Sequence, residues 1–409
     1  MTEGIEVRRS IEALWRIESA RIVGALTRYT GDFALAEDVA QEALAEALVN
    51  WPREGVPRDP VAWLLTTGRR RAIDVFRTRS AERDRLPGLA PADVTSDEAG
   101  EVDDDVLALM FTACHPVLSR EAQVALTLRV VGGLTSDEIA RAFLTPTATV
   151  QARITRAKKT LAAARVPFEV PQADELGTRL GSVLSVVYVI FTEGSSASSG
   201  DALIRFDLAR EARRLCRVLA RLMPAEHEVH SLLALMELTA ARFPARTDAD
   251  GEPVLLEDQD RRLWDASAIR RGRAALASAT RIGRGLGFYG LQAAIAECHA
   301  VAPSVAETDW ERIVVLYEAL GRLAPSPVVE LNRAVAVSMA RGPAEALAIV
   351  DTLADVDGLA RSHQLAGVRG ELLIRLGRTA EARTELERAV EVCANDRERT
   401  ILRRKLTTL

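Results

Sequence analysis

Apolar residues recur at the spacing of an α-helix along almost the whole chain, and β-branched runs are too short to compete. Ile11, Leu14, Trp15, Ile17, Ile22, Val23 and Leu26 show the pattern: steps of three and four residues bring them to one face. Ala, Leu and Arg, all strong helix formers, dominate a composition that is 48% hydrophobic and 27% charged but only 4% aromatic. The expected fold class is therefore all-α. At 409 residues the chain is too long for one ordinary core, so two to four domains are expected. No stretch of about 18 uncharged apolar residues occurs. The polar start, Met1 to Arg9, lacks the apolar centre of a signal peptide. The expected location is the cytoplasm.

Helix breakers divide the pattern. A first helix is predicted over Ser10–Tyr29, and Thr30-Gly31-Asp32 ends it and caps the next, Ala34–Asn50. Trp51 to Pro60 holds three prolines and is predicted to be a loop. Pro60 then opens a third helix that runs to about Arg79. An acidic stretch follows, and no Lys or Arg lies between Arg85 and Arg120, so residues 86–105 read as a flexible tether. A second helical module spans 106–166. In it Thr135 and Glu138 have the spacing of a capping box, and Thr145-Pro146 separates two helices as in a helix-turn-helix. The remainder, 167–409, is predicted to be helical throughout. There Arg341-Gly342-Pro343-Ala344-Glu345-Ala346 echoes Gly377-Arg378-Thr379-Ala380-Glu381-Ala382, thirty-six positions on. That period is near the roughly 34 residues of a tetratricopeptide hairpin, so a helical-repeat domain is expected.

The net charge of −5 argues against a general nucleic-acid binder, but the charges are segregated. The third helix carries Arg69, Arg70, Arg71 and Arg77. From Ile139 to Phe168 there are six cations, Arg141, Arg153, Arg156, Lys158, Lys159 and Arg165, and no acid. Surfaces of this kind suit phosphates, because neutralising them releases counterions. In a helix-turn-helix the start of the second helix faces base edges, here Thr147, Thr149, Gln151, Arg153 and Arg156, with Lys158 and Lys159 placed for phosphates. Asn50, Trp51, Arg53 and Trp63 put aromatic rings beside cations, an arrangement suited to unstacked bases of single-stranded DNA. Each tryptophan is equally suited to a core.

These residues carry a resemblance. Asp32-Phe33-Ala34-Leu35-Ala36-Glu37-Asp38-Val39-Ala40-Gln41-Glu42-Ala43 resembles region 2 of sigma-70-type RNA polymerase sigma factors. Pro60 to Asp74 resembles the following helix in the extracytoplasmic-function subfamily, with Gly68 where alanine is usual. Leu134 to Leu161 resembles region 4. Val187 to Gly194 and Asp258 to Asp265 are similar to the subgroup with a tetratricopeptide-like C-terminal extension, with Thr192-Glu193-Gly194-Ser195 where that subgroup reads Asn-Glu-Gly-Tyr. The resemblance implies region 2 over 8–85, region 4 over 106–166 and an extension over 167–409. It implies that Asp38, Gln41 and Glu42 dock on core RNA polymerase. It implies that Asn50, Trp51, Arg53, Trp63, Arg69, Arg70, Arg71 and Arg77 take the melted −10 element of promoter DNA, and that Thr147, Thr149, Gln151, Arg153, Arg156 and Lys158 read the −35 element. The extension is expected to regulate initiation in cis, with a protein or small molecule as its partner. The alternative is a stand-alone helix-turn-helix regulator whose repeat domain is a sensor.

Other motifs are weaker. Gly285-Leu286-Gly287-Phe288-Tyr289-Gly290 matches GxGxxG, but a helical segment precedes it where a dinucleotide site needs a strand. Cys114, Cys216, Cys298 and Cys393 are far apart and read as core residues. Asp258, Asp260 and Asp265 read as a solvated or ion-paired group. No catalytic constellation stands out, so neither an enzyme nor a cofactor nor a metal is expected.

Overall fold

The computed structural model describes residues 2–82, 99–143, 145–195, 205–248, 254–283, 285–356, 359, 362–393 and 396–409. These residues form α-helices and short 3-10 turns with no extended strand among them. They fall into two compact units, Met1–Val189 and Ile190–Leu409.

In the first unit α1 (Thr2–Thr30), α2 (Phe33–Glu54) and α3 (Pro60–Glu82) form a bundle. Asp32 caps α2 by accepting the Ala34 and Leu35 N–H groups, and Asp59 accepts from Ala62 at the start of α3. Two sequence expectations need correcting. The expected loop begins later than Trp51, because α2 continues through Pro52 to Glu54. Pro52 lies in the last turn, and the helix closes with the Gly55 N–H on the Trp51 carbonyl. Gly68 has a packing reason: a Cβ there would lie 2.8 Å from Leu26 Cδ1, so the glycine lets α3 approach α1.

The acidic tether is also shorter than expected. Residues 83–98 lie outside the described residues, but α4 (Ala99–Ala113) already includes Asp103, Asp104 and Asp105. Asp105 is buried, and its carboxylate takes the Arg28 guanidinium at 2.7 Å. Gly24 leaves room for it, since a Cβ there would lie 2.9 Å from the Asp105 Cβ. The second module continues with α5 (Arg120–Val130), α6 (Ser136–Ala142) and α7 (Thr147–Ala163). Thr135 and Glu138 form the capping box of α6. This module packs against the first: Gly133, at φ +68°, brings its turn onto Ser19 and Trp15 of α1.

Helix α8 (Ala173–Ser195) runs through the boundary of the two units. By length and composition it is the one described helix apolar enough to cross a membrane. Its apolarity has another use, since Leu180, Val183, Leu184, Val186, Val187, Ile190 and Phe191 are buried in protein.

The second unit continues with α9 (Phe206–Leu222), α10 (His227–Ala240), α11 (Ala266–Ile282), α12 (Phe288–Val301), α13 (Trp310–Leu323), α14 (Pro327–Ala340), α15 (Pro343–Asp351), α16 (His363–Arg375), α17 (Thr379–Val392) and α18 (Asp396–Thr407). Sequential helices pack on one another as hairpins. Glu237 of α10 is buried and binds Arg213 at 2.6 Å, Arg217, and Arg271 at 3.2 Å, joining α9, α10 and α11. The two echoing segments occupy like positions. Gly342 and Gly377 both take positive φ before α15 and α17, and Ala346 and Ala382 are both fully buried.

Candidate nucleic-acid interface

On α7 the residues Val150, Ile154, Ala157 and Leu161 are buried, which turns Gln151, Arg156 and Lys159 to solvent. Thr147 is half-buried, and its hydroxyl donates to Asp137 at 2.8 Å, tying the two helices of the motif together. Thr149 and Arg153 are half-buried. Arg153 lines a small cavity of about 170 Å³ with Arg120, Glu121, Ile139, Phe143 and Val150.

Lys158 is held within the protein itself. It does not face open solvent with its neighbours but reaches α2, where its Nζ lies 2.6 Å from Glu37 Oε2 and 2.6 Å from Asp38 Oδ1. Its side chain is only 12% exposed. Burial by itself would lower the Lys158 pKa, but Glu37 and Asp38 outweigh it and raise it above the usual lysine value. Glu37, 5% exposed, also accepts from Arg129 of α5 at 3.2 Å. Sequence reasoning assigned Glu37 no role. The only local sign was an acid on the face that also carries Ala36, Val39 and Ala40. Arg16 of α1 pairs with Glu138 in the same seam between the modules.

The region expected to take opened DNA is divided. Trp51 is buried, 3% exposed, so its ring is not open to stack on a base. It packs edge-to-face on Trp63 at 5.3 Å between ring centres. Its place in the last turn of α2 puts it inside the bundle. Trp63 is half-buried, as are Asn50 and Arg69, and the Arg69 guanidinium lies 5.7 Å above the Tyr29 ring. Arg53, Arg70, Arg71 and Arg77 are exposed. Arg70 and Arg71 share the carboxylate of Glu46 at 3.0 and 2.9 Å, and Arg77 lies 4.0 Å from Asp74. On α2, Asp38 and Glu42 are exposed and Gln41 half-buried.

A profile described as Sigma-70 region 2 matches residues 14–82, and one described as Sigma-70, region 4 matches 108–161. A protein of Rhizobium meliloti (strain 1021), described as uncharacterized protein R00370, is 46% identical over 396 residues, covering 95% of this chain and 93% of its own. The ECF RNA polymerase sigma factor SigK of Mycobacterium ulcerans (strain Agy99) is 28% identical over 144 residues, 33% of this chain and 74% of its own. The SigK protein of Mycobacterium bovis (strain BCG / Pasteur 1173P2) is likewise 28% identical, over 148 residues, 35% of this chain and 78% of its own. The chain belongs to the ECF-type sigma-70 factors. This sigma factor is not an enzyme but a transcription initiation factor, and membership decides against the stand-alone regulator. Its C-terminal extension includes a match, over 179–280, to a family of unknown function, DUF6596.

The remaining motifs of this sigma factor have structural roles. Gly287 caps α12, which follows α11 without a strand, and the Glu228 carboxylate accepts the Tyr289 N–H at that helix start. Asp265 caps α11 and Asp260 binds Arg262. The four cysteines are buried. Among the described residues, His363, Cys393 and Glu398 have the spacing to hold a metal ion, with ligand atoms within 4.8 Å of one another, and His363 Nε2 lies 2.9 Å from Glu398.

Proposed function

We propose that this sigma factor meets core RNA polymerase through Asp38, Gln41 and Glu42 of α2, and that the described arrangement of its first unit is the unengaged form. Asn50, Arg53, Trp63, Arg69, Arg70, Arg71 and Arg77 receive the melted −10 element, with Trp63 as the stacking ring and Trp51 as its support. Thr147, Thr149, Gln151, Arg153, Arg156 and Lys158 read the −35 duplex. Promoter opening is then a binding reaction, in which stacking and phosphate contacts offset the lost base pairing.

One observation carries this reading: Lys158 rests on Asp38. Two of the three Lys158 ammonium donors are spent on Glu37 and Asp38 and the side chain is 12% exposed, so the lysine is turned away from DNA while α7 rests on α2, and part of the Asp38 carboxylate is taken up. Departure of α7 from α2 therefore frees both surfaces in one step. The extension, residues 167–409 and tetratricopeptide-like in its α14–α17 hairpins, acts on this step in cis. Its repeating buried alanines and left-handed glycines support that assignment.

The test is run-off transcription with core polymerase and a genomic promoter library. The full chain is expected to associate with core and give promoter-specific transcripts, and failure to associate defeats the proposal. A chain ending at residue 170 is expected to differ in transcription or core affinity. Equal values defeat regulation in cis.

A further inference from the structure

Many buried or half-buried cations in the second unit are paired with acids. Arg213, Arg217 and Arg271 meet Glu237, Arg205 meets Glu193, and Arg369 meets Asp351 and Glu385. Three arginines in the segment between α10 and α11 differ. Arg242 Nε donates to the Gln259 amide oxygen at 3.4 Å, Arg246 Nη1 donates to the Ser195 carbonyl, and Arg261 Nη1 donates to the His299 and Ala302 carbonyls at 2.7 Å each. All of these acceptors are neutral. No carboxylate forms an ion pair with any of the three among the described residues.

The three arginines are close enough to act on one another. The indole of Trp264 lies 5.3 Å from the Arg242 guanidinium carbon and 4.5 Å from that of Arg261. Burial, with Arg246 and Arg261 adding to it, pushes the Arg242 pKa down to about 10. Burial, with Arg242 and Arg261 adding to it, pushes His299 down to about 4. Two acids act from farther off, Glu398 on Arg246 and Glu307 on Arg261.

Donors are also left over. Trp264 is 6% exposed, and its Nε1 and Arg261 Nη2 are buried donors without a hydrogen-bond partner, while His299 Nδ1, a ring nitrogen whose role depends on the tautomer, is buried beside them without one too. A buried donor left unmade costs about 1–3 kcal/mol, and an unpaired buried charge more. Capping of helix ends accounts for part of the arrangement, since Arg246 and Arg261 hold carbonyls at the ends of α8 and α12. It leaves the Arg242 charge and the Trp264 and Arg261 donors unexplained, and an anion would answer all of them at once.

We propose that Arg242, Arg246, Arg261 and Trp264 form a binding site in the extension for a small anion bearing a phosphate or carboxylate group. Guanidinium forks match the oxygens of either group in bidentate fashion, and the indole N–H supplies a further donor. Arg242 and Arg246 are only half-buried, so the ligand reaches the site past them. The site gives the extension a chemical input, and its existence does not depend on the polymerase-binding reading.

The test uses the full chain. Inorganic phosphate and citrate are titrated in separate arms by calorimetry and by thermal unfolding, against sodium chloride at matched ionic strength. Saturable binding and a rise in Tm that chloride does not reproduce are expected, and the stronger arm identifies the preferred head group. Arg242→Gln is expected to weaken binding about ten-fold or more without lowering the anion-free Tm, because it removes a charge that has no acidic ion-pair partner among the described residues. Arg262→Gln, on the adjacent exposed arginine paired with Asp260, is expected to bind as the parent does. An absence of anion binding beyond chloride overturns the proposal. Equal affinity in Arg242→Gln overturns it too, as does an anion-free loss of folding in that variant.

Discussion

Replacing Lys158 by methionine tests the proposed unengaged form most directly. The change keeps most of the aliphatic stem and removes the ammonium that holds α7 to α2. Glu37 is almost dry, so parting it from Lys158 belongs with buried pairs, where loss of one partner costs about 3–5 kcal/mol. Arg129 stays on Glu37 at 3.2 Å and reduces that loss. Asp38 is 62% exposed, so its contact adds at most about 1 kcal/mol. A weakening of the α2–α7 seam by about 2 kcal/mol follows, or about thirty-fold in the balance between closed and open forms. If closure hides the polymerase-binding face, the variant should bind core polymerase more tightly by up to that factor. Fluorescence anisotropy of the labelled chain with core enzyme and no DNA measures this. A folded variant whose affinity for core is unchanged or weaker would refute the reasoning.

Three other outcomes are expected. Gly68→Ala should gain about 1 kcal/mol of helix propensity and lose more than that to collision with Leu26, so urea denaturation should show net destabilisation of about 1–2 kcal/mol, and the same change should cost less when made in a Leu26→Ala background than in the parent. Asp105→Asn removes the buried charge that the Arg28 guanidinium meets at 2.7 Å and should cost about 2 kcal/mol in the same assay, because Asp105 is buried while Arg28 is about a third exposed. His299 should make the stability of the second unit pH-dependent. Its folded pKa lies near 4, below the ordinary 6.5, so the unfolded chain takes up the proton first. Stability should therefore fall as pH drops below about 6.5 and level off near 4, by about 1–2 kcal/mol at pH 5. His299→Gln should flatten that profile in calorimetric unfolding.

Local features of this chain could be read from the sequence. The caps at Asp32 and Thr135, the start of α3 at Pro60 and the helices of the second module depend on residues within a few positions of one another. Proline misled at Pro52: it forgoes one backbone bond in the last turn, yet α2 continues to Glu54 and closes with the Gly55 N–H on the Trp51 carbonyl, which keeps Trp51 inside the bundle. Periodicity could mark Trp51 as apolar but not tell which side of the bundle it would meet. The ion pairs were out of reach. Lys158 and Asp38 are 120 positions apart, and Arg28 and Asp105 are 77 apart, so nothing local distinguishes a cation destined for DNA from one held by its own chain. Gly68 is the reverse case: a small departure in the sequence acquires its reason only once Leu26 is seen above it.

The seam between the first two modules holds Arg16 with Glu138, and Glu37 with Arg129 and Lys158. Ions that separate are taken up again by water, whereas oily faces would cling or aggregate. The α2–α7 contact, made by Lys158 with Glu37 and Asp38, can therefore part and re-form with water as the substitute partner, while α4 keeps its apolar contact with α1.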